Sequence, residues 1–205
     1  PLDIFHNEHR RSHIGNGGNP HIDRIGNEDA WSIEWVIEAD PDPFLHVTYT
    51  ITNLTAATDD FTMTSTLPIA PAITGSSLTG GSVSLTVIDS GGGTAELSTA
   101  SGGEPIYMSL IDGADYVPLM AGPQSFTTIA FGTTAGGPET FGAPIPSLVG
   151  PSISSTIGIE LNARLTSGDT AVIVATFVVT PEPGTIALLT IGGVAMLARR
   201  RRHRA

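Results

Sequence analysis

Histidines at 6, 9, 13 and 21 are the first residues of this chain whose type and spacing could do chemistry. His6, His9 and His13 recur at three- and four-residue steps, so a helix would bring their imidazoles together as ligands for a transition metal, with His21 further on. The glycines and asparagines from Gly15 to Asn19 oppose such a helix, and the segment reads as a solvated arm without a metal. Asp40 with Asp42, Asp59 with Asp60, and Asp112 with Asp115 could offer oxygen ligands to Ca²⁺. None has the Asp-x-Asp-x-Asp-Gly spacing of a dedicated calcium loop, and Asp is a common turn former. No cofactor is therefore expected, with calcium kept as the alternative. Trp31 and Trp35 could form a sugar-stacking platform, but alternation puts Ile33 and Ile37 on the same face, which favours a place in the core. Asn53-Leu54-Thr55 matches a glycosylation sequon, which matters only in a host that glycosylates it.

Composition excludes more than these motifs suggest. The chain has no Cys, which removes disulfides, thiolate nucleophiles and thiolate metal sites. It also has no Lys, so a P-loop lysine and Schiff-base catalysis are absent. Gly-x-Ser-x-Gly, His-Glu-x-x-His and Gly-x-Gly-x-x-Gly do not occur, and no enzyme is expected. Residues 1–180 carry 19 Asp and Glu against four Arg, while residues 181–205 carry one Glu and five Arg. The body is thus about −15 and the tail about +4, giving the overall −11. So acidic a body is repelled by phosphate backbones, which excludes nucleic acid as a partner.

Period-two alternation sets the fold class. In "AWSIEWVIEAD" Trp31, Ile33, Trp35 and Ile37 share one face, and in "FLHVTYTITN" Leu45, Val47, Tyr49 and Ile51 stand against His46, Thr48, Thr50 and Thr52. "FTMTSTLPI" and "GSVSLTVIDS" repeat the pattern between Gly, Asp and Pro turns. At the end of the domain, a two-residue loop at Ser167-Gly168 would set Ala163 opposite Val172, Leu161 opposite Val174 and Ile157 opposite Val178 in a hairpin. These strands predict an all-β, antiparallel β-sandwich, Ig-like or jelly-roll-like, over 31–180, with Trp31, Trp35, Leu161 and Val174 buried. Residues 1–30 read as an irregular arm that could carry an edge strand. "TAGGPETFGAPIPSLVGP", with four prolines, reads as a long loop.

Residues 181–205 form a third region. Pro181 and Pro183 stop the last strand, with Glu182 between them at the positive end of whatever helix follows. Gly184 to Ala198 are 15 uncharged, mostly apolar residues. As a single hydrophobic helix they would extend ~22 Å, short of the ~30 Å hydrocarbon core. Arg199, Arg200, Arg201, Arg202 and Arg204 could not end a buried core helix cheaply. They suit a cytoplasmic membrane face and a stop-transfer role, and can snorkel to relieve the mismatch.

Pro-Glu-Pro, an apolar span and an arginine cluster, in that order, resemble the PEP-CTERM sorting signal of Gram-negative bacteria. The resemblance covers about 25 residues. It implies that exosortase, a membrane protease and transpeptidase, recognises Pro181, Glu182 and Pro183 and removes the tail. Export, transient anchoring in the inner membrane and delivery to the cell surface or extracellular space follow. Proteins of this group normally begin with a signal peptide; this sequence starts at Pro1 without Met or an apolar h-region, which leaves a removed leader or a fragment as alternatives. The body is expected to be a non-catalytic surface or matrix protein linked to exopolysaccharide or biofilm. The alternative is a carbohydrate- or calcium-binding surface module.

Overall fold

A computed structural model describes residues 3–6, 31–40 and 43–182, and these form two antiparallel sheets packed face to face. The first sheet runs β1 (Asp3–His6), β4 (Asp59–Pro68), β12 (Thr156–Leu165), β6 (Ala95–Ser98) and β9 (Ser125–Thr128). Along the same edge of β12 lies β7 (Tyr107–Ile111), which pairs in turn with β8 (Ala114–Leu119). The second sheet runs β10 (Thr133–Phe141), β5 (Ser77–Ile88), β13 (Thr170–Pro181), β3 (Phe44–Asn53) and β2 (Trp31–Asp40), with β11 (Leu148–Gly150) extending the β10 edge of β5. The protein is all-β and sandwich-like, as the alternation predicts. The expected hydrophobic helix lies outside the described residues.

The core comes from the inward halves of the alternating strands. Leu45, Val47, Tyr49 and Ile51 of β3 meet Ile157, Ile159, Leu161, Ala163 and Leu165 of β12, all nearly or fully inaccessible to solvent. Each buried Leu, Ile or Phe is worth about 1.5–3 kcal/mol of transfer free energy. With no disulfide to assist, this packing is the main term holding the sheets together. Trp35 is buried and Trp31 is half-buried against the same cluster, so neither tryptophan forms an exposed platform.

The predicted hairpin does not form. β12 and β13 belong to different sheets, and the turn between them crosses from one to the other. Gly168, at φ +78°, donates its N–H to Asn53 O, and Asn53 N–H donates to Asp169 O, which ties the start of β13 to the end of β3. Thr166 N–H donates to Glu96 O, which ties the end of β12 to β6. The faces of β13 are consequently the reverse of those predicted: Ala171, Ile173, Ala175, Phe177 and Val179 are buried, while Val172, Val174 and Val178 sit half-buried on the outer face. Both faces of "AVIVATFVV" are apolar, so alternation could not choose between them.

The proline-rich stretch is also more regular than a loop. Residues 133–141 pair with β5 on either side of a bulge between Gly136 and Glu139, and residues 148–150 pair with the same strand further along. The bulge carries Pro138 at a sheet edge, where its missing N–H breaks no ladder. At the other end of the chain β1 pairs with β4, so the arm contributes an edge strand.

Two buried tyrosines join the sheets by hydrogen bonds. Tyr49 of β3 and Ser65 of β4 bond through their hydroxyls at 2.6 Å, and burial pushes the Tyr49 hydroxyl pKa up to about 12. Tyr107 of β7 donates to Thr176 O of β13 at 3.1 Å. Gly81 is required where Tyr107 crosses, because a Cβ there would stand 2.5 Å from Phe141 Cε1 and 2.7 Å from the Tyr107 hydroxyl. Tyr49→Phe is expected to cost about 1–3 kcal/mol by leaving the Ser65 hydroxyl buried and unpaired. The Tyr49→Phe/Ser65→Ala pair should cost less than the sum of the single changes in urea unfolding. Strict additivity would show that the bond contributes nothing.

Candidate functional site

The last strand leads directly into the Pro-Glu-Pro sequence. All twelve residues of β13 pair with β5, from Thr170 opposite Ile88 to Pro181 opposite Ser77. On the other side, β3 stops at Phe44 opposite Val178, with one further bond from Val179 N–H to Pro43 O. Alternation points the nitrogen of Pro181 the same way as that of Val179, past the end of β3, so the absent proline N–H costs no ladder bond. Glu182 N–H then turns back to Ser76 O at 3.3 Å, and its carboxylate accepts from the Ser76 hydroxyl. Next door, Ser77 Oγ donates to Pro151 O at 2.7 Å, so the 76–77 corner is itself braced against the residue that follows β11. The first two residues of the sequence are thus part of the folded domain. Pro183 and Arg199, Arg200, Arg201, Arg202 and Arg204 lie outside the described residues.

A family model described as a PEP-CTERM protein-sorting motif matches residues 179–202. The chain carries a PEP-CTERM sorting motif. None of the curated proteins searched matches the chain. The PEP-CTERM motif supports an exported surface or extracellular protein, membrane-anchored as a precursor and targeted by exosortase. Its matched span opens at Val179, a fully buried residue of β13, so domain and signal overlap from Val179 to Glu182.

The other candidate residues have different occupations. His6 lies in β1 opposite Met63, whereas His9, His13, His21 and Asp42 are outside the described residues. Asp40 pairs with Phe44 across the β2–β3 turn. Asp59 accepts from Thr55 Oγ1, and Asp60 accepts from the N–H and hydroxyl of Ser101. Asp112, in a tight turn at φ +52°, receives the N–H groups of Ser154, Ser155 and Thr156 at 2.7–3.2 Å, together with Ser155 Oγ. Desolvation pushes its pKa upward, but those donors outweigh it and hold the carboxyl well below the usual range. Asp115 stands exposed on β8. The sequon residue Asn53 is fully buried, its amide donating to Ala57 O and Leu165 O while Oδ1 accepts from Thr55. In the folded protein that amide is out of reach of a glycosylating enzyme. Among the described residues, no three His, Asp or Glu side chains converge as a metal site.

Sequence reasoning missed a carboxyl pair. Asp89, at the end of β5, and Asp169, at the start of β13, are both buried and hydrogen-bonded to each other. Asp89 also accepts from the N–H groups of Phe131 and Gly91, which hold its pKa down. Desolvation raises that of Asp169, with Asp89 adding to the rise. Of the two, Asp169 is the carboxyl whose neutral form burial favours. No spacing in the sequence announces this, because 80 residues separate the two and only the β5–β13 pairing joins them. A raised folded-state pKa stabilises below the unfolded value of about 4, and that contribution is lost as pH rises through the folded value. A lowered one stabilises above about 4 and is lost as pH falls. Asp169→Asn should accordingly keep or raise the melting temperature at pH 7. Asp112→Ala should lower it at pH 7, with the gap to wild type closing as the pH falls below about 4. Thermal melts across this range check both signs, and a large loss in Asp169→Asn at pH 7 would reverse the direction given for Asp169.

A polar groove of about 480 Å³ opens on the first sheet between β6, β9 and β12. It is lined by Glu96, Ser98, Ser125, Arg164 and Thr166 among others. Arg164 is the only Arg or Lys among the described residues.

Proposed function

We propose that the chain is a non-catalytic surface or matrix protein, sorted through Pro181, Glu182 and Pro183. In this reading, exosortase cuts at this sequence and removes everything beyond it. Gly184 to Ala198 serve as a short membrane-spanning helix that holds the precursor in the inner membrane. Arg199 to Arg202 with Arg204 halt its transfer from the cytoplasmic side. The carrying observation is the continuity of β13 into the motif: with Pro181 paired to Ser77 and Glu182 bonded to Ser76, the folded domain runs into the first residues of the signal. A non-catalytic body agrees with the carboxylates described above, many of which act as acceptors for turns and loops. Release into, or attachment within, an exopolysaccharide matrix follows as the expected destination. Intact-mass measurement of protein from cells containing exosortase should show residues beyond the motif missing. Alanine substitution of Pro181, Glu182 and Pro183 together should leave full-length protein in the inner membrane. Native extracellular protein that retains Arg199 to Ala205 would make the tail a permanent anchor instead.

The groove beside Arg164 favours a second reading, a carbohydrate-binding surface module. Serine and threonine hydroxyls, with one guanidinium and one carboxylate, match the donors and acceptors of a polyol. None of its lining side chains is aromatic, so binding would lack a stacking contribution and be weak. Calorimetric titration with soluble exopolysaccharide should give heat that is lost in Arg164→Ala; identical isotherms would remove this reading.

A further inference from the structure

The large apolar side chains left most exposed among the described residues gather at the two ends of the sandwich. Leu54, Ile129 and Phe131 lie at the end where β13 begins. Ile145, Leu148 and Val149 lie at the end where it finishes, with exposures of 40, 39 and 63 %. Strand register makes the second location specific. Gly150, Ser77 and Pro181 are aligned across β11, β5 and β13, as are Val149, Leu78 and Thr180. Two interstrand spacings of about 4.8 Å put Val149 roughly 10 Å from the motif, along the same rim.

Only two residue steps, through Pro183, lead from Glu182, fixed to Ser76, to the start of the uncharged run at Gly184. Fully extended, that chain reaches about 7 Å. Once the run enters the bilayer, the rim carrying Glu182 must therefore lie at the headgroup layer, and Ile145, Leu148 and Val149 come to it as well. The opposite rim is about 35–40 Å away, the length of twelve strand residues. No Arg or Lys of the described residues lies at the near rim, while Glu182 does, directly after residues 1–180 with their charge of about −15. Attraction to anionic lipid cannot drive the contact; apolar insertion can.

We propose that Ile145, Leu148 and Val149 form a membrane-docking edge that seats the sandwich on the bilayer beside its own anchor. The proposal rests on the reading of Gly184 to Ala198 as that anchor. Docking makes the domain stand in one orientation and keeps Pro181 to Pro183 at the boundary where a membrane enzyme works.

Because the chain has no Cys, a single cysteine can be labelled cleanly. Full-length Val149→Cys, carrying an environment-sensitive fluorophore, is reconstituted into phosphatidylcholine vesicles and compared with Ile129→Cys, whose position is 78 % exposed at the far rim. The label at 149 should shift to the blue and become shielded from an aqueous quencher in vesicles, while the label at 129 stays unchanged. Adding anionic lipid should weaken the effect. An unshifted 149 label on protein that floats with vesicles overturns the docking edge and leaves the anchor standing. Protein that does not float at all overturns both. A shift in detergent-free solution without lipid means the apolar run itself covers the edge, and a shift seen only when exosortase is in the vesicles means the enzyme does; either result overturns bilayer docking.

Discussion

Pairing of β13 with β5 along its whole length is the interaction on which the rest of the structure depends. It makes β13 a central strand, with β3 on its other side, so that Ala171, Ile173, Ala175, Phe177 and Val179 all face the core and are fully buried. At its start the same pairing brings Asp169 to Asp89, and at its end it brings Pro181 to Ser77 and Glu182 to Ser76. Core formation and the placement of the sorting motif are therefore one event. A chain whose last strand had not joined the sheet would present the motif from an unfolded segment; the folded protein presents it from a fixed rim.

The domain holds two sheets together without disulfides or lysines, and with a single cation among its described residues. Apolar packing provides the bulk of the stability, and a few buried hydrogen bonds fix the relative position of the sheets. Tyr49 with Ser65, and Tyr107 with Thr176 O, are bonds that apolar packing alone could not replace, since a slide of either sheet would leave a hydroxyl buried and unpaired. Acidic residues, which in so anionic a protein repel one another, are in several places turned into acceptors for backbone N–H groups at turns. Asp112 does this for three successive residues leading into β12, the last of them its first residue, and Asp89 does it for the loop before β10. Such local pairing stabilises the turn and neutralises part of the field without needing a counter-cation.

The same arrangement gives the sandwich two unlike ends. One is closed by the Asp89–Asp169 pair and by Asn53, whose backbone and amide hold the crossing from β12 to β13. The other carries the motif beside three exposed apolar side chains on the β10–β11 edge. Under the proposed docking, the end carrying the motif faces the bilayer while the precursor is anchored, and the other end does not.

What the sequence determined by itself were the properties that depend on neighbours along the chain. Alternation in "FLHVTYTITN" specified a strand with Leu45, Val47, Tyr49 and Ile51 inward, since a pleated strand leaves no other way to bury four apolar side chains two apart. The sorting motif was legible for the same reason: its three parts are contiguous, and an apolar span between proline and arginine needs no partner to be recognised. Tertiary structure alone decided which strands met. In "AVIVATFVV" both faces are apolar, so a hairpin with β12 and a crossing to the opposite sheet satisfied the local pattern equally well. The choice fell to Asn53 and Glu96, distant residues whose hydrogen bonds hold the crossing turn, and to β5, which offered β13 twelve partners. The Asp89–Asp169 pair and the apolar rim beside Pro181 arose from that choice, because each joins residues brought together only by strand pairing.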